Sequence, residues 1–145
     1  MRSIYALAAA TCIFALVAST EPTRAQVGSG LSDLNQVPES QLATMPGMTP
    51  AIAKAFVEAR PFPTIVEAHA FLTGQKVPAE QLTALYEKAF VHLNLNTATG
   101  PEILLVPRIA KRMTREFEEY RPWVTMAQFD KEIGKYVGQT ETDRL

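Results

Sequence analysis

The chain has 145 residues, a single cysteine and a formal net charge of −1 at pH 7. Proteins that bind nucleic acid over their whole surface are strongly basic, so this composition excludes that class. Any site for an anion therefore has to be local. About 120 residues remain after a predicted leader, which is enough to bury a hydrophobic core without disulfides.

The first 25 residues have the pattern of a secretory signal peptide. Arg2 supplies a positive charge, an uncharged apolar run follows over Ile4–Ala18, and Thr23–Ala25 places small residues where a signal peptidase reads. The run is shorter than the roughly 20 residues that span a bilayer as a helix, so no stable membrane span is expected. We predict cleavage near Ala25 and a periplasmic or secreted mature chain, from which Cys12 is removed.

The rest of the chain contains an internal repeat. Residues 26–33, with two glycines and two serines, predict a disordered lead. Shifting the sequence by 61 residues then places Leu34–Thr64 over Leu95–Thr125 without a gap, which indicates one supersecondary unit built twice. We predict a first unit at residues 34–93 and a second, with truncated trailing helices, at residues 94–145. The identical pairs are Leu34/Leu95, Asn35/Asn96, Pro46/Pro107, Phe56/Phe117, Glu58/Glu119, Arg60/Arg121, Pro61/Pro122 and Thr64/Thr125.

The positions of helix-breaking and helix-capping residues predict the first two helices. A short helix covers residues 38–44, and a tight connection rich in proline and glycine follows it. Thr49 then caps a longer helix over residues 50–60, with Pro50 in its first turn. The helical period predicts that this helix buries one face, formed by Ile52, Ala55, Phe56 and Ala59.

The same signals predict the later helices. Thr64 caps a third helix over residues 65–72, and Pro78 opens a fourth helix. In the second unit, capping signatures recur at Thr99 and Thr125, a helix covers residues 111–120, and the chain ends at the start of a shortened fourth helix. Strand-like alternation is absent from the sequence, so the predicted fold class is all-α.

Each copy therefore consists of a short helix, a hairpin and a longer helix. Segments Leu34–Phe62 and Leu95–Trp123 resemble the periplasmic competence-type (ComEA-like) family of DNA-uptake proteins, whose motif contains Leu-Asn, a Pro-Gly-Ile-Gly hairpin, an arginine and Pro-Phe. The resemblance implies tandem helix-hairpin-helix repeats and non-enzymatic, sequence-independent binding of double-stranded DNA. In the family, backbone N–H groups of the hairpin and of the next helix start bind a phosphate, aided by the helix dipole.

The two hairpins depart from the family's two-glycine pattern. The first keeps Gly47 but has Thr49 at the second glycine position, whereas the second has Arg108 and Ala110. A left-handed conformation costs a residue with a side chain roughly 1–2 kcal/mol. We therefore expect the second hairpin to have a different shape from the first.

A row of four cations belongs to the second copy alone. Arg108, Lys111, Arg112 and Arg115 lie at helical spacing on one face beside the hairpin. Such a row either contacts several phosphates, with strong salt dependence, or is simply a solvated face beside neighbouring glutamates. The candidate DNA-binding residues are Gly47, Met48, Thr49, Lys54, Arg108, Ile109, Ala110, Lys111, Arg112 and Arg115.

Protein binding is the alternative function. Tandem helix-hairpin-helix units also resemble the extrinsic photosystem II subunit family, which docks on protein; the missing glycines and the acidic balance favour this alternative. We expect no catalytic, cofactor or metal site, because His69 and His92 lack partners at ligand spacing and no nucleophile–base pair is recognisable. Trp123 is expected to fill the core of its unit and not to stack on bases.

The leader generates the first prediction. Periplasmic protein should have the intact mass of a chain that begins at Gln26, because the peptidase site ends at Ala25. Mass spectrometry of the purified protein checks this. A species that still contains Met1 or Cys12 would contradict the soluble, exported form.

Overall fold

The computed structural model describes residues 30–145, apart from the side chain of Arg144. The predicted signal peptide at residues 1–25 and residues 26–29 of the predicted lead lie outside the described residues. The described chain is mostly helical, which confirms the all-α class. Among the helices of residues 30–145, none is long and apolar enough to cross a membrane.

Helix ends lie close to the predicted ones because local caps fix them. The hydroxyl oxygens of Thr49, Thr64 and Thr125 each accept a hydrogen bond from the backbone N–H three residues on, and Glu102 bonds back to the N–H of Thr99. The elements are β1 Ser32–Asp33, α1 Glu39–Leu42, α2 Pro50–Ala59, α3 Ile65–Gly74, α4 Ala79–Tyr86, β2 Ala89–Phe90, α5 Gly100–Leu104, α6 Lys111–Glu119, α7 Met126–Val137 and α8 Gln139–Arg144.

The predicted disordered lead is wrong at its C-terminal end. Ser32 and Asp33 form β1, which pairs in parallel with β2, so that Ser32 lies opposite Ala89 and Asp33 opposite Phe90. The N–H of Leu34 donates to the carbonyl of Phe90 at 2.8 Å and extends the pairing. Two-residue strands carry no alternating pattern, so sequence periodicity cannot reveal them.

The first unit has its own core around α2. Phe56 is fully buried, and its ring centroid lies 4.4 Å from that of Phe62 and 5.6 Å from that of Phe71. The predicted face of α2 is partly wrong, because Ala53 is buried whereas Ala59 is exposed. The buried face therefore includes Ala53, which was not predicted, and only the last two residues of α2, Glu58 and Ala59, are exposed at its end.

The second unit repeats this arrangement with different side chains. Phe117 and Trp123 are buried, as predicted, together with Phe129 of α7. The three rings form a cluster with centroid separations of 5.3–6.4 Å. The indole N–H of Trp123 donates to the carbonyl of Phe117 at 3.0 Å, which satisfies the one polar atom of this side chain.

An asparagine side chain joins the two ends of each repeat in the same way. Asn35 donates to the carbonyl of Phe62 at 2.9 Å and accepts from the N–H of the same residue at 2.8 Å. Asn96 makes the equivalent bonds with Trp123, at 2.9 and 2.6 Å. We call this two-bond contact the asparagine clamp. It fixes the aromatic residue that follows Pro61 or Pro122 against the start of its own unit.

The two repeated arginines, Arg60 and Arg121, make different contacts in the two copies. Arg121 donates from Nε to the carbonyl of Leu95 at 2.8 Å and from Nη2 to the carbonyl of Ala98. Arg60 lies over the ring of Phe56, and its Nε and Nη2 atoms have no hydrogen-bond partner within the described part of the chain. Burial lowers the pKa of Arg60, an effect that the nearby charge of Asp33 opposes.

The two cores generate the second prediction. Replacing Phe56 or Phe117 with alanine should lower the free energy of unfolding by roughly 3–5 kcal/mol, because each change leaves a cavity in a buried aromatic cluster. Chemical denaturation followed by circular dichroism measures the change. Val124→Ala is the matched control, since that side chain is 78% exposed and its truncation should cost little. Equal effects of the core and control variants would contradict the cores described above.

Candidate nucleic-acid interface

The first hairpin turns the chain directly into the start of α2. The N–H of Met48 donates to the carbonyl of Met45 at 3.1 Å, and Gly47 has a φ of +73°. Thr49 then caps α2 by accepting from the N–H of Ile52 at 3.3 Å. The threonine at the position of the family's second glycine is therefore used as a helix cap.

Gly47 is required for packing as well as for its backbone conformation. A Cβ atom at this position would lie 2.6 Å from Cγ1 of Val77 and 3.1 Å from Cβ of Gln81. The bare backbone of Gly47 is thus pressed against the connection between α3 and α4. We expected a phosphate to approach the backbone of Gly47 closely, but in the structure its close neighbours are the side chains of Val77 and Gln81.

The surface beside this hairpin is an open depression of about 530 Å³. Thr49 and Ile52 lie on one side of it, and Lys76, whose φ is +62°, lies on the other. Within the described residues, the N–H groups of Thr49 and Ala51 have no hydrogen-bond acceptor. Of these two residues only Thr49 lines the depression, which therefore combines one unpaired backbone donor, the positive end of the α2 dipole and a lysine.

The second hairpin has the same turn as the first, so the prediction of a different shape is wrong. The N–H of Ile109 donates to the carbonyl of Val106 at 3.2 Å, and Arg108 adopts a φ of +65° at the position of Gly47. Arg108 therefore adopts the left-handed conformation although this lowers the stability of the fold. The side chain of Arg108 projects into solvent at the tip of the turn, 56% exposed.

The first unit partly covers the second hairpin. A cavity of about 230 Å³ lies between them, lined by His69 and Tyr86 on one side and by Leu105 and Arg108 on the other. His69 Nδ1 lies 3.0 Å from the hydroxyl of Tyr86, and burial raises the pKa of Tyr86 well above its usual range. The helix that follows has Ala110 as its N-cap, so no side chain caps α6.

The predicted row of cations lies on one face, but most of its charge is paired. The ion pairs are Arg108–Glu141 at 3.6 Å, Arg112–Glu116 at 4.0 Å and Arg115–Glu119 at 2.7 Å. The hydrogen bond with Glu119 raises the pKa of Arg115. Lys111 is exposed and has no ion pair with any residue that the structure describes. The row therefore presents far less free positive charge than its sequence suggests.

The other candidate residues support the hairpins. Met48 is buried and Ile109 half-buried, each packed against the core of its own unit. Lys54 is exposed on α2 with its Nζ 4.0 Å from Glu58. Lys76 was missed from the sequence because it lies in a turn outside both hairpins, and only the fold brings it to the first one.

The potential metal ligands among the described residues are not grouped. Between residues 30 and 145, no group of three or more histidine, cysteine, aspartate or glutamate residues is placed to hold a metal ion. His92 lies 3.5 Å from Asp33, and His69 contacts Tyr86, so the two histidines belong to separate local contacts.

Comparison of this chain with models of known protein families, with curated proteins and with solved structures yields no match.

The packing of the first hairpin generates the third prediction. Gly47→Ala should lower the free energy of unfolding by about 2 kcal/mol or more, because it adds left-handed strain to a clash with Val77. Gly74→Ala is the matched control, since a Cβ there meets no atom within 4 Å and alanine favours the helix by up to about 1 kcal/mol. Urea unfolding curves measure both changes. A Gly47→Ala variant as stable as the unsubstituted protein would contradict the tight packing.

Proposed function

We propose that this chain is a non-enzymatic tandem helix-hairpin-helix protein that binds the backbone of double-stranded DNA weakly through its first hairpin. The observation that carries the proposal is the open start of α2, where the N–H of Thr49, which has no acceptor among the described residues, lines the same depression as Lys76. As its resemblance to the ComEA-like family implies, we propose export to the periplasm and a role in DNA uptake.

A phosphate suits this position for general electrostatic reasons. The start of a helix offers N–H donors and the positive end of the dipole, which together favour an anion. Lys76 adds a full charge at the rim of the same depression, and Lys54 lies one turn into α2. None of these groups reads base edges, so binding would be independent of sequence.

The charge distribution supports weak binding. Each neutralised phosphate contributes about −0.9 to the slope of log K against log salt, so the four cations of the second copy would give at most roughly −4. Three of those cations already have carboxylate partners. Lys54 is paired with Glu58, so a slope of about −1 is the expectation for Lys76 at the first hairpin.

Protein binding is the second candidate, and two observations favour it. The second hairpin lies against α4 and three of its four cations are paired, so this copy offers little to a polyanion. Val124 and Met126 are also exposed apolar side chains near its end, 78% and 63% accessible. A partner protein contacting this end would bind with little dependence on salt.

The fourth prediction separates a free cation from a paired one. Lys76→Ala should weaken binding to a duplex of random sequence and make the salt slope shallower by about 0.9, because one phosphate contact is lost. Arg115→Ala is the matched control, since it also removes one positive charge but from an arginine that already bonds Glu119. Fluorescence anisotropy across a series of salt concentrations gives the affinities and slopes.

The outcomes distinguish the two functions. Loss of affinity in Lys76→Ala but not in Arg115→Ala would support phosphate binding at the first hairpin. Equal losses in both variants would indicate non-specific attraction by overall charge. If the unsubstituted protein does not bind DNA even at low salt, the DNA proposal fails and protein binding takes its place.

A further inference from the structure

The C-terminal helix α8 is held firmly against the second unit. Thr142 is buried against Gly134 of α7, where an added Cβ atom would lie 3.4 Å from the hydroxyl oxygen of Thr142. Leu145 packs against the core that contains Phe129 and Ile133. Because these contacts fix α8 on α7, the acidic side chains of α8 have defined positions.

One of those side chains reaches the tip of the second hairpin. Oε2 of Glu141 lies 3.6 Å from Nη2 of Arg108, the residue at the left-handed position of the turn. The two side chains are 30% and 56% exposed, so solvent ions can reach the pair. A carboxylate of the chain itself therefore contacts the guanidinium that the hairpin presents to solvent.

The repeat shows that this contact is specific to the second copy. The shift of 61 residues places Glu141 over Glu80 of α4, and it places Arg108 over Gly47. Gly47 has no side chain, and Glu80 makes no ion pair within the part of the chain that the structure describes. Both units thus carry a glutamate at this point, but only the second carries a cation for it to pair with.

We propose that α8 acts as an acidic latch on the second hairpin: Glu141 pairs with Arg108 where a DNA phosphate would otherwise bind. This inference rests on the proposed DNA-binding function. A guanidinium binds carboxylate and phosphate oxygens through the same donors, so the two anions compete for Arg108. With the latch closed, DNA binds through the first hairpin; when Glu141 is displaced, Arg108 adds a second point of contact.

The latch is tested by removing its charge without removing the helix. Glu141→Gln should tighten binding of a 20-base-pair duplex at low salt by about two-fold to five-fold, the range expected for one surface ion pair. The salt slope should become steeper by about 0.9, because one more phosphate is contacted. Anisotropy titrations of the purified protein at several salt concentrations supply both values, and thermal melts confirm that the variant is folded.

Asp143→Asn is the matched control. It removes the same charge from the same helix, but Asp143 bonds to Gln139 of α8 and not to the hairpin. This variant should leave the salt slope unchanged. In the double variant Arg108→Ala/Glu141→Gln, the gain from Glu141→Gln should disappear, because the freed cation is absent.

A second measurement reports on the latch without DNA. Phenylglyoxal modifies accessible arginines, and peptide mass spectrometry gives the rate at each site. Glu141→Gln should at least double the rate at Arg108 relative to Arg115, whose partner Glu119 is unchanged. Asp143→Asn should not change this ratio.

Each outcome bears on one proposal. If the unsubstituted protein binds DNA but Glu141→Gln neither tightens binding nor steepens the slope, the latch is wrong and the first-hairpin function stands. Equal gains from Glu141→Gln and Asp143→Asn also overturn the latch, in favour of general repulsion. An unchanged rate at Arg108 overturns the contact itself. If every variant fails to bind DNA at low salt, the proposed function fails together with the latch, whatever the arginine rates.

Discussion

The asparagine clamp is the contact on which each repeat depends. One amide side chain satisfies both the N–H and the carbonyl of the aromatic residue after the proline, as Asn35 does for Phe62 and Asn96 for Trp123. A buried backbone group left without a partner costs roughly 1–3 kcal/mol, so the clamp removes two such costs at once. It also holds the aromatic residue that closes each core against the start of its own unit.

Both hairpins therefore adopt one geometry, and their differences lie in what surrounds them. The left-handed turn occurs at Gly47 and again at Arg108, although only glycine adopts it without strain. Around the first turn the surface is open and Lys76 has no ion pair with any described residue, whereas the second turn lies against α4 and has Arg108 paired with Glu141. The same backbone scaffold thus presents one accessible helix start and one that the chain itself restrains.

Local signals made most of the fold predictable, and contacts between distant segments account for the rest. Caps such as Thr49 and Thr125 act within three residues, so the helix starts could be read from the sequence. The pairing of β1 with β2 and the contact between Arg108 and Glu141 depend on tertiary packing, for which no local pattern exists. The ion pair of Arg115 with Glu119 has a local cause, because the two residues lie four positions apart on α6.

The backbone conformation of Arg108 costs more stability than its ion pair returns. Its left-handed backbone costs roughly 1–2 kcal/mol, whereas an exposed ion pair with Glu141 returns at most about 1 kcal/mol. Glycine at this position, as in the first copy, would remove the strain and keep the turn. Residues that break a local rule without a compensating gain in stability are concentrated at functional sites. On this energetic ground, the arginine at the tip of the second hairpin agrees with the proposed competition between Glu141 and a phosphate, and not with a role in stabilising the fold.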